Sequence, residues 1–276
     1  MEDNSTKGKR QIAFRQGLGA AGEIFQNCQQ PLRHVVIDNP CMIVVKHGIK
    51  HFDNASCHLV MNQGDAVAVW RDTWFDVTNY NGTDGYYSAE WISFDRGLVK
   101  DFAGKAKNRK SLETIEIRDI SGGLKRAFDE IYGLLKDPAD IPDEIARHRM
   151  EELFIWLDMG GYFGCMPEDV SLPWSLRQIV SVDPSRIWDC AGLARLAGMS
   201  ESTLRRRLKE YNTTIADVVT DVRMSYALNM IQSTDFSITR ISAECGYESP
   251  SRFAVRFKER FGFSPSSVRR GNFAER

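Results

Sequence analysis

The 276-residue sequence predicts an α+β fold, in which an N-terminal β-barrel with packing helices precedes an all-α C-terminal domain with two helix-turn-helix motifs. Short runs of β-branched and aromatic residues, separated by turn residues, occupy 11–95. Apolar residues at the helical period of 3.6 follow in 98–158. Two helix–glycine–helix patterns then lie within 188–261. These three observations predict both the fold class and the order of the two domains.

The N-terminal domain is expected over residues 11–159, after a flexible tail at 1–10 that lacks the apolar core of a secretory signal. Short, closely spaced strands predict an antiparallel sandwich or barrel. The predicted strands are 33–37, 41–45, 57–61, 66–70 and 86–94. The pair Gly64 and Asp65 is similar to a turn of the cupin barrel, so we expect a cupin-like domain.

Three helices are predicted to follow the strands, at 98–106, 122–136 and 144–158. Their apolar faces are expected either to cover the open side of the barrel or to mediate dimerisation, and the sequence leaves both alternatives open. Glycine and proline residues in 160–173 predict an interdomain linker. The C-terminal domain is therefore expected over 174–276.

The second helix-turn-helix motif is predicted over 237–261 and has the clearer signals. Gly246 suits the positive φ of a tight turn between two helices, and Ser249 with Pro250 suits the start of the second helix. The apolar stripe of that helix consists of three phenylalanines, Phe253, Phe257 and Phe261. Four basic residues lie elsewhere on the same helix, as expected for a helix that enters the major groove of DNA: Arg252, Arg256, Lys258 and Arg260.

The first motif, predicted over 188–210, repeats this plan, and a connecting helix is predicted at 214–231. Gly198 supplies the turn, and Ser200 can cap the next helix. Three consecutive arginines at 205–207 spread over about 200° of the surface of that helix, at 100° per residue.

The charge distribution differs between the two predicted domains. The 36 basic and 37 acidic residues nearly cancel over the whole chain. From Arg186 to Arg276 there are 15 basic and 10 acidic residues, which leaves 21 basic and 27 acidic residues in the remainder. A basic C-terminal domain favours contact with nucleic acid.

A long motif with fixed spacings runs through the C-terminal domain. It comprises Arg223-Met224-x-x-Ala227-Leu228, Ile238-x-x-Ile241-Ser242-x-x-x-Gly246-Tyr247-x-Ser249 and Phe253-x-x-x-Phe257-Lys258-x-x-x-Gly262-x-Ser264-Pro265-x-x-x-Arg269. This pattern resembles the AraC/XylS family of bacterial transcription regulators. The resemblance covers roughly residues 174–270, about the last third of the chain.

The resemblance implies which residues contact DNA. Base contacts are expected from outward positions near the start of each recognition helix: Ser202, Arg205, Arg206, Pro250, Ser251 and Val255. Contacts to the DNA backbone, or flanking positions, are expected at Thr203, Arg207, Lys209, Ser249, Arg252, Arg256, Lys258 and Arg269. Val255 departs from the family, whose members often carry arginine or another polar residue there, because valine cannot donate a hydrogen bond.

The resemblance also implies partners. Double-stranded DNA and RNA polymerase are expected, together with a small-molecule effector and a second copy of the chain in a homodimer. The expected function is transcription regulation, as an activator, in the cytoplasm. No apolar run is long enough to span a membrane. The six cysteines are scattered and are interpreted as reduced core thiols.

An enzyme is the alternative hypothesis: a cupin-type enzyme with an appended DNA-binding or interaction module. Four histidines lie in the barrel region, but they lack the His-x-His spacing of metal cupins, so we expect no metal, no cofactor and no catalytic residue. The barrel region is also rich in aromatic residues. The candidate effector pocket comprises Trp70, Trp74, Tyr86 and Trp91, and simple filling of the core is the competing interpretation.

Overall fold

The computed structural model describes residues 12–107, 113–137, 141–164 and 171–272, and it confirms the predicted α+β class. The strands are β1 (Ala13–Arg15), β2 (Gly19–Gln26), β3 (Leu32–Ile37), β4 (Cys41–His47), β5 (Ile49–Asp53), β6 (His58–Met61), β7 (Ala66–Val69), β8 (Thr73–Tyr80), β9 (Tyr87–Phe94) and β10 (Thr114–Ile117). The predicted tail at 1–10 and residues 165–170 of the predicted linker lie outside the described residues.

The strands form two antiparallel sheets and not one closed barrel. One sheet has the order β1-β2-β9-β4-β7-β10, and the other has the order β3-β8-β5-β6. Apolar side chains from both sheets, including Val45, Phe52 and Phe75, form a common core between them. The barrel prediction is therefore corrected to a sandwich, because side-chain packing and not strand pairing joins the two sheets in the described part of the chain.

The six-stranded sheet is covered on both faces. All four residues of β7 are buried. Along β7, Val67 and Val69 face the other sheet, whereas Ala66 and Ala68 face a second core on the opposite side. A strand buried on both faces shows a continuous apolar run without alternation.

Three helices cover the outer face of that sheet: α1 (Arg96–Ala103), α2 (Gly122–Lys136) and α3 (Asp143–Met159). The Asp95 side chain caps α1 by accepting from the backbone N–H of Leu98. Phe128 and Phe154 are fully buried against the sheet in a core that includes Trp70. The Trp70 indole N–H donates to the carbonyl of Tyr162 at 2.8 Å, which fixes the chain after α3 against the sheet.

The C-terminal helices are α4 (Leu172–Ser181), α5 (Cys190–Leu196), α6 (Glu201–Glu210), α7 (Ile215–Ser233), α8 (Ile238–Glu244), α9 (Pro250–Phe261) and α10 (Pro265–Asn272). They form two lobes that share α7. In the first lobe, α4, α5 and α6 pack on the start of α7 through residues such as Leu204 and Val222. In the second lobe, α8, α9 and α10 pack on its remainder through residues such as Met224 and Phe257.

The four-stranded sheet contacts the C-terminal helices directly. Leu32 at the start of β3 belongs to the core of the second lobe. Asp38, just after β3, accepts from Arg177 of α4 at 2.8 Å, and Arg177 also lies 3.6 Å from Asp221 of α7. The N-terminal domain therefore contacts α4 and the core of the second lobe. In the described ranges, no helix has the length and apolar composition of a membrane span.

Candidate DNA interface

The first lobe contains a helix-turn-helix in which α6 is the second helix. Gly198 has φ +67° between α5 and α6, a conformation that glycine adopts without strain. The Ser200 hydroxyl caps α6 by accepting from the backbone N–H of Thr203 at 3.2 Å. Leu204 and Leu208 are buried, so the opposite side of α6 faces solvent.

The predicted base-contacting arginines of α6 lie on its exposed side. The side chains of Arg205 and Arg206 are 69% and 72% exposed. Each has an acidic neighbour one turn away, Glu201 for Arg205 and Glu210 for Arg206, both at 3.4 Å. Such exposed pairs are weak, and a DNA phosphate or base can replace them.

The other predicted contacts of the first lobe differ in exposure. Ser202, Arg207 and Lys209 are exposed. Thr203 is half-buried, and its hydroxyl lies 2.9 Å from that of Ser200. Thr203 therefore stabilises the start of α6, in addition to its predicted contact with the DNA backbone.

The second lobe repeats the arrangement with α8 and α9. Gly246 has φ +73° in the turn. The Ser249 hydroxyl accepts from the backbone N–H of Arg252 at the start of α9, and Pro250 occupies the first turn. The three phenylalanines of the predicted stripe are fully buried: Phe253, Phe257 and Phe261.

The solvent face of α9 carries the remaining predicted contacts. The exposed residues are Pro250, Ser251, Arg252, Val255, Arg256 and Lys258, and Ser249 is half-buried. The side chain of Val255 is 58% exposed. The face therefore offers an apolar side chain in its centre and basic side chains around it.

Arg269 and Arg260 lie on the inner side of the second lobe. Arg269 donates to the carbonyl of Phe236 and is half-buried, so it holds α10 against the loop after α7. The side chain of Arg260 is 15% exposed, lies 2.9 Å from Asp221, and has a pKa lowered by burial. The structure therefore favours a structural role for Arg269 over the predicted contact with the DNA backbone.

Arg223 of α7 joins the two lobes, a role that the sequence did not indicate. Its guanidinium donates to the carbonyls of Pro184 at 2.9 Å and Arg186 at 3.1 Å, next to the first lobe. It also lies over the ring of Tyr247, at 5.7 Å, in the turn of the second lobe. The motif quoted above contains Arg223, but its spacing does not show what the side chain contacts.

Two concave surfaces lie beside the recognition helices. One, of about 930 Å³, lies between α6 and α7 and is lined by residues that include Arg205, Lys209 and Arg223. The other, of about 1120 Å³, lies beside α9 and is lined by residues that include Arg252 and Val255. The first has a basic lining without acidic residues, which suits contact with a DNA backbone, whereas Glu248 and Glu259 offset the two arginines of the second.

The four predicted pocket residues lie in different environments. Trp70 is buried under the helices, whereas Trp91 lies on the opposite face of the same sheet. Trp74 is 37% exposed and stacks on His34, and Tyr86 stacks on His47. The structure thus does not bring these four side chains together into one pocket.

The cysteines and histidines show no arrangement for chemistry in the described part of the chain. Burial raises the pKa of Cys41 and of Cys245 to about 12, so both are inert core thiols. Cys165 lies outside the described residues. No group of three or more His, Cys, Asp or Glu side chains in the described ranges could hold a metal ion.

Comparison with known protein families matches both parts of the chain. Residues 193–271 match a helix-turn-helix domain, and residues 40–159 match the ExsA N-terminal regulatory domain. The HTH-type transcriptional regulator YdeO of Escherichia coli K12 is 34% identical over 181 residues, which span 62% of this chain and 71% of YdeO. The HTH-type transcriptional regulator AdiY of the same strain is 34% identical over 91 residues, 33% of this chain and 36% of AdiY.

Solved structures show the same fold over nearly the whole chain. ToxT from Vibrio cholerae O395, bound to (E)-4-(8-methylnaphthalen-1-yl)but-3-enoic acid, has a TM-score of 0.67 at 14% identity, covering 93% of this chain and 100% of that chain. ToxT with a bound unsaturated fatty acid has a TM-score of 0.67 and covers 95% of this chain and 100% of that chain. The similarity to YdeO, at 34% identity over 71% of that protein, and the matching helix-turn-helix domain show that the chain belongs to the AraC/XylS family and is a DNA-binding transcription regulator.

Proposed function

We propose that this protein binds specific sequences of double-stranded DNA by placing α6 and α9 in successive major grooves. The observation that carries the proposal is the shared helix α7, on which both lobes pack while the outer faces of α6 and α9 stay exposed. Two recognition helices on one rigid support suit one face of the duplex, where grooves recur about every 34 Å.

The exposed residues divide by chemistry into two groups. Arg205 and Arg206 can donate to guanine edges, each worth about 1–3 kcal/mol of discrimination between bases. Val255 can contact a thymine methyl group but cannot donate a hydrogen bond. The second lobe is therefore proposed to contribute mainly contacts to the phosphates, through residues such as Arg252 and Lys258.

This division is tested with two substitutions and one control. Binding of the full chain to DNA selected from a random pool, and to unrelated DNA, is measured at several salt concentrations. Arg206→Ala should weaken binding to the selected DNA about tenfold more than binding to unrelated DNA. Lys258→Ala should weaken both about equally and reduce the salt dependence.

The control is Arg126→Ala, which removes an exposed arginine from α2 in the N-terminal domain. It should leave both affinities unchanged. Equal losses on the two DNAs from Arg206→Ala would contradict its role as a base contact. A wild-type chain that binds all sequences equally would contradict the proposed function itself.

We further propose that the N-terminal domain controls DNA binding in response to a small-molecule effector. The observation in support is the contact of this domain with both lobes, through the ion pair of Asp38 with Arg177 of α4 and through Leu32 in the core of the second lobe. ToxT, which shares the fold, has been solved with a fatty acid bound. The protein is proposed to activate transcription in the cytoplasm through contact with RNA polymerase.

We also propose a homodimer formed through α3. Apolar side chains stand exposed along this helix: Ile145 at 49%, Ile155 at 48% and Met159 at 70%. A second copy of the same stripe would cover them. Ile155→Lys should shift the mass measured by light scattering from dimer to monomer, and an unchanged mass would contradict the dimer.

A further inference from the structure

A lysine lies buried between the two sheets of the N-terminal domain. Lys50 of β5 is 2% exposed and lies on the inner face of the four-stranded sheet. Its Nζ lies 4.9 Å from the ring centre of Phe52 and 5.4 Å from that of Tyr87. Its Nζ donates to Asn79 Oδ1 at 2.9 Å. Within the described ranges, no carboxylate forms an ion pair with it. A buried ammonium without a counter-ion is costly.

Among the described residues, Lys50 Nζ has a hydrogen bond to the side chain of Asn79. The Asn79 amide nitrogen donates to Gln26 Oε1 at 2.6 Å, so the side-chain oxygens of both residues already accept a hydrogen bond. The Gln26 amide nitrogen and the Tyr87 hydroxyl are fully buried and have no partner among the described residues. Buried polar groups of native proteins nearly always have a partner.

These four residues lie at one end of the sandwich. Gln26 pairs with Tyr87 across β2 and β9, and Lys50 pairs with Asn79 across β5 and β8. Gln26 is the last residue of β2, and Tyr87 is the first of β9. The two pairs therefore meet near the loop at 81–86, where the Asn79 amide contacts Gln26.

Each of the unused groups can donate a hydrogen bond. Lys50 has two remaining N–H groups when charged, the Gln26 amide has two, and the Tyr87 hydroxyl has one. A carboxylate supplies two oxygens with about four acceptor sites. It also supplies a negative charge, which can act as the counter-ion of the Lys50 ammonium. The surrounding walls are apolar and include Phe52 and Phe75.

We propose that Lys50, Gln26 and Tyr87 bind the carboxylate group of a small organic acid with an apolar remainder. This inference rests on the proposed function, because it gives the effector of the N-terminal domain a chemical class and a position. The carboxylate neutralises the buried ammonium, and the apolar remainder contacts the core between the sheets.

The protonation of Lys50 provides a second readout. Burial lowers the pKa of Lys50 to about 7, so the free protein holds much of this amine in its neutral form at pH 8. A bound carboxylate favours the charged form. Binding at pH 8 should therefore take up protons, and calorimetry in two buffers of different ionisation enthalpy measures this uptake.

The experiment titrates the full chain with butyrate and octanoate, and with 1-butanol, 1-octanol and chloride as controls. Lys50→Met keeps the length of the side chain without its charge, and Tyr87→Phe removes a hydroxyl that has no partner among the described residues, so both variants should fold. Lys46→Met is the matched control, since Lys46 lies in an ion pair with Glu90 at 3.0 Å.

The acids should bind and the alcohols and chloride should not. Lys50→Met should lower the affinity for the acid at least about tenfold, consistent with loss of a charged hydrogen-bonding group. Tyr87→Phe should lower it several-fold, and Lys46→Met should bind as the wild type does.

Absence of saturable binding of both acids to the wild type would overturn the inference, as would equal binding to Lys50→Met. A high-resolution crystal structure with the acid present but only water at Lys50 would also overturn it. DNA binding is measured on the same samples. Loss of acid binding with intact sequence-specific DNA binding refutes only the ligand site, whereas non-specific DNA binding refutes the proposed function.

Discussion

The two glycines of the helix-turn-helix turns should respond differently to the same substitution. Gly198 and Gly246 have nearly the same backbone conformation, with φ +67° and +73°. A Cβ at Gly198 would meet nothing within 4 Å. A Cβ at Gly246 would lie 2.8 Å from Arg223 Nη2 and 2.8 Å from the carbonyl oxygen of Ser185.

The expected losses in the free energy of unfolding follow from the surroundings of the two glycines. Gly198→Ala should cost only the strain of a positive φ, about 1–2 kcal/mol of the free energy of unfolding. Gly246→Ala adds displacement of Arg223, whose bond to the carbonyl of Arg186 is a charged hydrogen bond of about 1.5–3 kcal/mol. The backbone oxygen of Ser185 cannot move aside as a side chain can. We therefore expect a total cost of about 2.5–5 kcal/mol for Gly246→Ala.

Urea unfolding of both variants, followed by helical circular dichroism, measures the difference directly. Gly246→Ala should also lose DNA affinity, because Arg223 joins the lobes, whereas Gly198→Ala should retain most of it. Equal unfolding costs, or a larger cost at Gly198, would refute the assignment of Arg223 and Ser185 as the close neighbours of the second turn.

Three further predictions concern the cores and the domain contact. Phe257→Ala should destabilise the second lobe by about 3–5 kcal/mol, measured by chemical denaturation, and a cost below 1 kcal/mol would contradict its full burial. The pKa of Lys50 is about 7 in the folded protein and 10.5 in the free side chain, so above pH 7 the unfolded chain binds more protons than the folded protein. The free energy of unfolding should therefore rise with pH up to about 9. Above that pH the buried thiol of Cys41, whose pKa is raised, makes the free energy of unfolding fall and so opposes the rise. Lys50→Met should flatten this rise, and an unchanged slope in the unfolding free energy would contradict the assignment. Asp38→Asn leaves the buried charge of Arg177, whose side chain is 7% exposed, with a weaker partner, so amide hydrogen exchange in β3 should accelerate. An unchanged exchange rate would show that this ion pair does not hold the domains together.

The helices were predictable because their signals are local. The periodic segment at 122–136 coincides with α2, and the glycine and serine signals at Gly246 and Ser249 lie where α8 ends and α9 begins. Helical periodicity and capping depend on residues within a few positions of each other. The recognition helices could therefore be placed from the sequence alone.

The sheets were less predictable because strand pairing is not local. The predicted strands do not include β1, β2, β5, β8 and β10. The patterns of β2, β5 and β8 mix charged, aromatic and small residues, and β1 and β10 are only three and four residues long. A charged Lys50 in the interior goes against the usual alternation of apolar and polar residues. Its pairing with Asn79, and their approach to Gln26, depend on two sheets meeting, which no single segment encodes.

The contacts that side chains make between distant elements also could not be predicted from the sequence. Arg269 matches the family motif, yet its guanidinium binds the carbonyl of Phe236 inside the second lobe. Arg223 matches the same motif and joins the lobes. A motif identifies positions that matter, but the contacts between distant segments decide whether such a residue binds DNA or stabilises the fold.

We propose that the two lobes on α7 contact two successive major grooves. The most direct measurement selects DNA from a random pool with the full chain and then inserts 5 or 10 base pairs between the two recovered half-sites. The half-sites should lie about 10–10.5 base pairs apart, and either insertion should reduce the affinity to that of a single half-site, since α7 fixes the distance between α6 and α9. Recovery of one half-site, or affinity that survives both insertions, would contradict the claim.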